Sequence, residues 1–124
     1  MEERSTRQKR AIQEVLKGAA APLTPQEIAD LAKAHTDAMS VSTVYRQLAR
    51  LQEKELVTVV RLPGQPPRYE EPRGHHHHFV CRMCGSILEL QGCKSSFAGL
   101  APQGCEVEDH ELTLIGRCAK CLLA

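Results

Sequence analysis

His75-His76-His77-His78-Phe79-Val80-Cys81-Arg82-Met83-Cys84 is the stretch on which the fold turns. Its four histidines and two cysteines are all strong ligands for a borderline-soft metal ion. The run is internal, so it does not read as an expression tag. A second Cys-x-x-Cys, Cys118 and Cys121, follows after 33 intervening residues. Each pair can present two thiolates to one tetrahedral site, and four thiolates suit zinc and leave no position open for catalysis. A disulfide pair needs an oxidising compartment, and an iron–sulfur cluster more often uses other spacings. The separation exceeds that of a compact zinc ribbon, so the segment between the pairs is expected to fold.

The histidines need a separate reading. On an extended strand alternate residues face opposite sides, so His75 and His77 point one way and His76 and His78 the other. Two histidines per face can seed two sites, against the plainer alternative of a solvated polar loop. Glu70 or Glu71, just upstream, is placed to join His76 and His78 across a hinge. Downstream, His110 and Cys93 are placed to join His75 and His77. A site spanning the hinge would act as a switch, because metal binding would fix the geometry of whatever precedes it.

Upstream, Pro72-Arg73-Gly74 breaks the pattern and marks the boundary. Residues 1–71 are expected to form one domain, 72–74 the hinge and 75–124 a metal-binding second domain. Ser5-Thr6-Arg7-Gln8 fits a capping box with Ser5 as N-cap, and Ile12, Val15, Leu16 and Ala19 follow at helical spacing. Thr24-Pro25-Gln26-Glu27 is a stronger start signal, with Ile28, Leu31 and Ala32 as its buried stripe. A third helix is expected from Ser40 or Ser42 to about Lys54, with Val41, Val44, Leu48 and Leu51 inward. Ser42, Tyr45, Arg46 and Ala49 share its other face, with Arg50 beside them. Such a face can enter a major groove: small residues permit close approach, Arg binds guanine bidentately, and Tyr reaches a phosphate or a thymine methyl. Leu56 to Leu62 reads as a β-branched strand, Pro63 to Pro67 as a turn, and Arg68-Tyr69-Glu70 as the return strand. Three helices and a hairpin make a winged helix-turn-helix; the alternative is a small helical domain using the same stripe for protein contacts.

Downstream of the His/Cys run, Ser86 to Leu90 reads as a strand, Gly92 to Gly99 holds a short helix at most, and Glu106 to Ile115 alternates as a long strand. This small α+β unit has too little core to stand alone and is expected to pair with a second copy. Cys105 stands where an apolar residue would serve and is expected to be buried. The whole chain of 124 residues is 42% hydrophobic with a net charge of +1. Lys and Arg against Asp and Glu number 12 to 10 over residues 1–73 and 4 to 5 over 74–124. Bulk charge therefore argues for no partner, and any nucleic-acid surface must be local. With no apolar run of about 18 residues and no signal peptide, the expectation is a cytoplasmic protein with reduced thiols and no membrane partner.

Ser42-Thr43-Val44-Tyr45-Arg46, then His-x-His-Phe-Val-Cys81-x-x-Cys84-Gly85, then Asp109-His110-x-Leu-x-Leu-x-Gly-x-Cys118-x-x-Cys121 together resemble the ferric uptake regulator family of metal-dependent bacterial repressors. The resemblance implies a homodimer with an N-terminal winged-helix DNA-binding domain and a C-terminal α/β dimerisation domain. It implies binding to palindromic double-stranded operator DNA when the cognate metal is loaded. Structural zinc falls on Cys81, Cys84, Cys118 and Cys121; a hinge-spanning regulatory site on Glu70, His76 and His78; a further site on His75, His77 and His110. Ser42, Thr43, Tyr45 and Arg46 would read bases or backbone, and Arg7, Lys9, Arg10 and Arg61 phosphates. The chain departs from the iron and peroxide sensors in three places. Ala20-Ala21-Pro22-Leu23 replaces a histidine before the second helix, His77 stands where those sensors have a carboxylate, and Cys93 is the nearest donor to a missing glutamate. Fewer oxygen donors favour zinc over ferrous iron, so the expectation is a zinc uptake regulator, with an iron- or peroxide-responsive regulator as the alternative. Neither an enzyme nor an organic cofactor is expected, since no His-Glu-x-x-His or acid–base pair is present. A zinc store is the remaining rival and would show no specific DNA affinity.

Overall fold

The computed structural model describes residues 3–37, 39–93 and 96–123. They divide into two compact units, Met1–Pro72 and Arg73–Ala124. Three helices open the first: α1 (Arg4–Gly18), α2 (Pro25–Ala32) and α3 (Val41–Glu53). An antiparallel hairpin of β1 (Thr58–Val60) and β2 (Arg68–Glu70) follows. The helices pack because each presents one apolar stripe. Ala11, Ile12, Val15 and Leu16 from α1 meet Ile28, Ala29 and Ala32 from α2 and Val44, Leu48 and Leu51 from α3. Leu31, expected in that stripe, is 52% exposed, and Ala29 takes the inward position. The hairpin is anchored to the helices by Leu23, whose backbone exchanges two hydrogen bonds with Tyr69 (2.9 and 2.7 Å). The wing's strands are shorter than expected, though Val57 and Leu62 beyond the ends of β1 are still buried. This is a winged helix-turn-helix.

Local capping signals hold at two helices and fail at one. Thr24 Oγ1 accepts from Glu27 N–H at 3.2 Å while Glu27 Oε1 accepts from Thr24 N–H at 2.9 Å. Ser40 caps α3 by accepting from Thr43 N–H (3.2 Å). Ser5, by contrast, is not an N-cap: α1 starts at Arg4, and Glu3 precedes it without a side-chain cap. The Ser5 hydroxyl instead receives Gln47 Nε2 (3.0 Å) and Arg50 Nη1 (3.2 Å) from α3. Removing the α2 cap should be felt locally. Thr24→Ala is expected to cost α2 roughly 1 kcal/mol, a roughly fivefold loss of amide-exchange protection; unchanged protection would mean that tertiary packing alone holds the helix.

The second unit is a three-stranded sheet in the order β4-β3-β5. Strand β3 (His77–Cys81) pairs antiparallel with β4 (Ile87–Leu90) and parallel with β5 (Thr113–Gly116). A 3-10 turn (Ala98–Leu100) lies between β4 and β5, and a short helix, α4 (Ala119–Leu123), follows β5. Three expectations are corrected here. The long strand from Glu106 shrinks to Thr113–Gly116, because β3 begins only at His77 and offers earlier residues no ladder partner. Cys105 is exposed rather than buried. The short helix expected between Gly92 and Gly99 is only the turn at Ala98–Leu100; Lys94 and Ser95 lie outside the described residues. Among the described residues no helix is long and apolar enough to cross a membrane.

Candidate metal centres and the exposed face of α3

The tight turn after β3 brings Cys84 back beside Cys81. Gly85, with φ +79°, permits it, and Gly85 N–H donates to Cys81 O at 2.9 Å. Strand β5 runs parallel to β3 and delivers Cys118 to the same end, while the first turn of α4 swings Cys121 in, with Leu122 N–H donating to Cys118 O (3.0 Å). The four sulfurs lie within 4.8 Å of one another, with Cys81–Cys121 at 3.6 Å and Cys84–Cys118 at 3.7 Å. A zinc tetrathiolate with Zn–S of about 2.3 Å has sulfur–sulfur edges of roughly 3.8 Å, so the quartet fits that ion. Backbone N–H groups of Cys84 (3.5 Å) and then Cys118 (3.3 Å) donate to Cys81 Sγ and pull its thiol down to about 5. The Ser86 hydroxyl, 2.9 Å away, draws Cys84 down as well. Cys121 is pushed up to about 12 by the Cys118 and Cys81 sulfurs facing it. Cys81 and Cys84 are thus held towards the thiolate that ligates metal, and a cation among the four sulfurs would offset the opposite shift at Cys121.

The alternation of β3 separates the histidines as expected. His75 and His77 share one face, with ring centroids 4.5 Å apart, and His76 and His78 share the other at 4.9 Å. His75, His77, Cys93 and His110 bring one donor atom each within 4.8 Å of the others. His75 Nε2 and His110 Nε2 are 3.2 Å apart, and Cys93 Sγ is 3.0 Å from His110 Nε2. His77 is buried, and burial first, then His75 and His110, lowers its basicity and keeps the ring neutral. Its Nδ1 accepts from Leu112 N–H at 3.1 Å, so the ring proton sits on Nε2, which is buried with no hydrogen-bond partner. A neutral imidazole ligates through its lone-pair nitrogen, so His77 would hold a metal at Nε2 only after its proton moved to Nδ1 and the Leu112 contact gave way. Asp109 stands behind His75, with Oδ1 4.0 Å from Nδ1, and accepts His110 N–H at 2.8 Å. Glu89 lies 4.0 Å from His76 Nδ1, and Glu70 ends β2 in the first unit.

On α3 the residues Ser42, Tyr45, Arg46, Ala49 and Arg50 are exposed, Tyr45 by 53%. Thr43, expected among the reading residues, points inward and is buried; its hydroxyl accepts from Arg46 Nη2 at 3.2 Å. It therefore positions Arg46 and is not on the open face. Arg7 and Arg10 are exposed on α1, with Lys9 half-buried between them.

A winged helix with an open arginine–tyrosine face, joined to a sheet unit holding a cysteine quartet and a histidine-rich cluster, defines a metal-binding winged-helix protein. The family model described as "Ferric uptake regulator family" matches residues 1–115, and the chain belongs to that family. The "Ferric uptake regulation protein" of Campylobacter upsaliensis is 32% identical over 69% of this chain and 57% of its own length. The "Peroxide operon regulator" of Bacillus subtilis is 29% identical over 95% of this chain and 83% of that protein. The chain thus spans little more than half of the Campylobacter protein. Among solved structures, the Helicobacter pylori ferric uptake regulator superposes with TM-score 0.80 at 24% identity, covering 93% of this chain and 79% of the other. The zinc uptake regulator FurB of M. tuberculosis is 29% identical over 95% of each chain, with TM-score 0.53.

Neither the α4 clamp on Cys121 nor the parallel pairing of β5 is foretold by the sequence. The spacing of Cys118 and Cys121 carries a faint signal of the former, since a helical first turn suits a Cys-x-x-Cys pair.

Proposed function

We propose that this chain is a zinc-responsive, DNA-binding transcriptional regulator that represses zinc uptake genes, acting as a homodimer on a palindromic double-stranded operator. The observation that carries the metal assignment is the donor chemistry of two clusters within the second unit: four sulfurs in one, three imidazoles and a sulfur in the other, with no carboxylate in either set. Such sets favour zinc over the oxygen-preferring divalent ions. Cys81, Cys84, Cys118 and Cys121 hold the structural zinc; His75, His77, His110 and Cys93 take an exchangeable one. His76 and His78 serve a second regulatory metal on the other face of β3. The likeness to FurB supports the same reading. The free thiols accord with a reducing cytoplasm. Exposed Leu114, Ile115, Leu122 and Leu123 on the thin second unit support a second copy as partner.

An iron- or peroxide-responsive regulator is the second reading, favoured by the names of the Campylobacter and Bacillus relatives. Fluorescence anisotropy with a palindromic duplex selected from a random pool, at buffered free metal, separates the two. Zinc should raise affinity at far lower free concentration than ferrous iron or manganese; activation by iron where zinc fails overturns the zinc assignment. Arg46→Ala should cost roughly 1–3 kcal/mol of specific binding without changing metal content. DNA binding identical to wild type would favour a zinc store.

A further inference from the structure

We infer that Cys93 is the metal-selecting ligand of the His75–His77–His110 cluster, its sulfur committing that site to a tetrahedral zinc-type ion over manganese and ferrous iron. The inference rests on reading this cluster as an exchangeable metal site. Two observations carry it.

Charge is the first. The other three donors are imidazoles, and Cys93 is the one member of the group able to bring a negative charge to a divalent cation. Asp109 does not fill that role: its Oδ1 lies 4.0 Å from His75 Nδ1 and is engaged by His110 N–H, so it braces the ring from behind. Geometry is the second. A tetrahedral ion with metal–nitrogen bonds of about 2.0 Å and a metal–sulfur bond of about 2.3 Å has donor–donor edges of roughly 3.3–3.6 Å. The His75–His110 separation of 3.2 Å matches the nitrogen–nitrogen edge, and the Cys93–His110 separation of 3.0 Å is about half an ångström short of the nitrogen–sulfur edge.

Thiolate is a soft donor, preferred by zinc and cobalt over manganese and ferrous iron. The Phe97 ring packs edge-on against His110, with centroids 4.6 Å apart.

Cobalt(II) is the probe. The full chain, stripped by mild chelation so that it keeps its one tightly held metal, is titrated with cobalt and followed by absorption. Wild type is expected to gain a near-ultraviolet sulfur-to-cobalt charge-transfer band together with the intense visible bands of tetrahedral cobalt. His76 and His78 offer no sulfur and the quartet keeps its tight metal, so the band is assigned to Cys93 by its loss in Cys93→Ser. Cys93→Ser should lose that band while retaining the tight metal and its far-ultraviolet circular dichroism. Cys93→Asp, which keeps a negative donor, should still bind metal but lower the zinc-to-manganese affinity ratio by roughly tenfold or more, at least the 10–100-fold scale of a lost outer-shell partner. A Cys93→Ser protein with the wild-type band and an unchanged ratio overturns the inference and leaves the regulatory site standing. Wild type that takes up no cobalt beyond its tight metal overturns the regulatory site as well.

Discussion

Cys118→Ser is expected to strip the chain of its tightly held metal and to unfold the second unit while the first stays folded. The buried residues of that unit, among those described, are His77, His78, Val80 and Cys81. One valine, one cysteine and two imidazoles are no hydrophobic core for some fifty residues, and units so thin need a metal or a partner. The cysteine quartet ties three separate pieces together: the end of β3, the turn after it, and the junction of β5 with α4. Structural zinc sites in small domains contribute an apparent roughly 10–16 kcal/mol to folding, more than any packing contact available here. A serine at position 118 removes one of four sulfurs and leaves Cys81, Cys84 and Cys121 with no closed tetrahedron. Native mass spectrometry should show the loss of one metal per chain, and amide exchange should show β3 and β5 unprotected while α1 and α3 keep their protection. A variant that retains both metal and protection would sink the structural assignment of the quartet.

Several features of this molecule are legible in the residues, and the reason is that their physics is local. The alternation of His75 to His78 across two faces follows from the two-residue period of a strand, and the ring pairings obey it. Thr24 and Glu27 three positions apart suffice to specify a reciprocal cap. What escapes the sequence is decided by distant partners. Ser5 has the right chemistry for an N-cap, but Gln47 and Arg50, more than forty residues away, claim its hydroxyl. Thr43 sits at an apparently open helical position, yet the neighbouring Arg46 turns its hydroxyl into a brace. The strand after Glu106 alternates well but cannot extend past the end of β3. Helix α4 spans only Ala119–Leu123, too short to announce itself by periodicity. Its place is set by the sulfur cluster it closes.

The second large effect belongs to the first unit and separates folding from reading on a single helix. Leu48 on α3 is 1% exposed and sits in the cluster formed with Ile12, Ile28 and Val44. Leu48→Ala removes three carbons from a close-packed interior, where such truncations cost about 2–5 kcal/mol through lost transfer energy and the cavity left behind. Against a total stability of roughly 5–15 kcal/mol, that is a large share, and each kcal/mol lowers the melting temperature of a domain of this size by about 4–8 °C. Arg46 lies two positions earlier, is exposed, and donates from Nη2 to Thr43 Oγ1 at 3.2 Å. The two substitutions should therefore dissociate. Leu48→Ala should melt α1, α2 and α3 together at a lower temperature and leave the metal content of the quartet unchanged. Arg46→Ala should melt as wild type and fail only in DNA affinity. A Leu48→Ala protein destabilised by less than about 1 kcal/mol would mean that α3 is held by something other than its inward stripe. The groove-facing geometry argued from that stripe would then lose its footing, because Tyr45 and Arg46 face outward only so long as Val44, Leu48 and Leu51 face in.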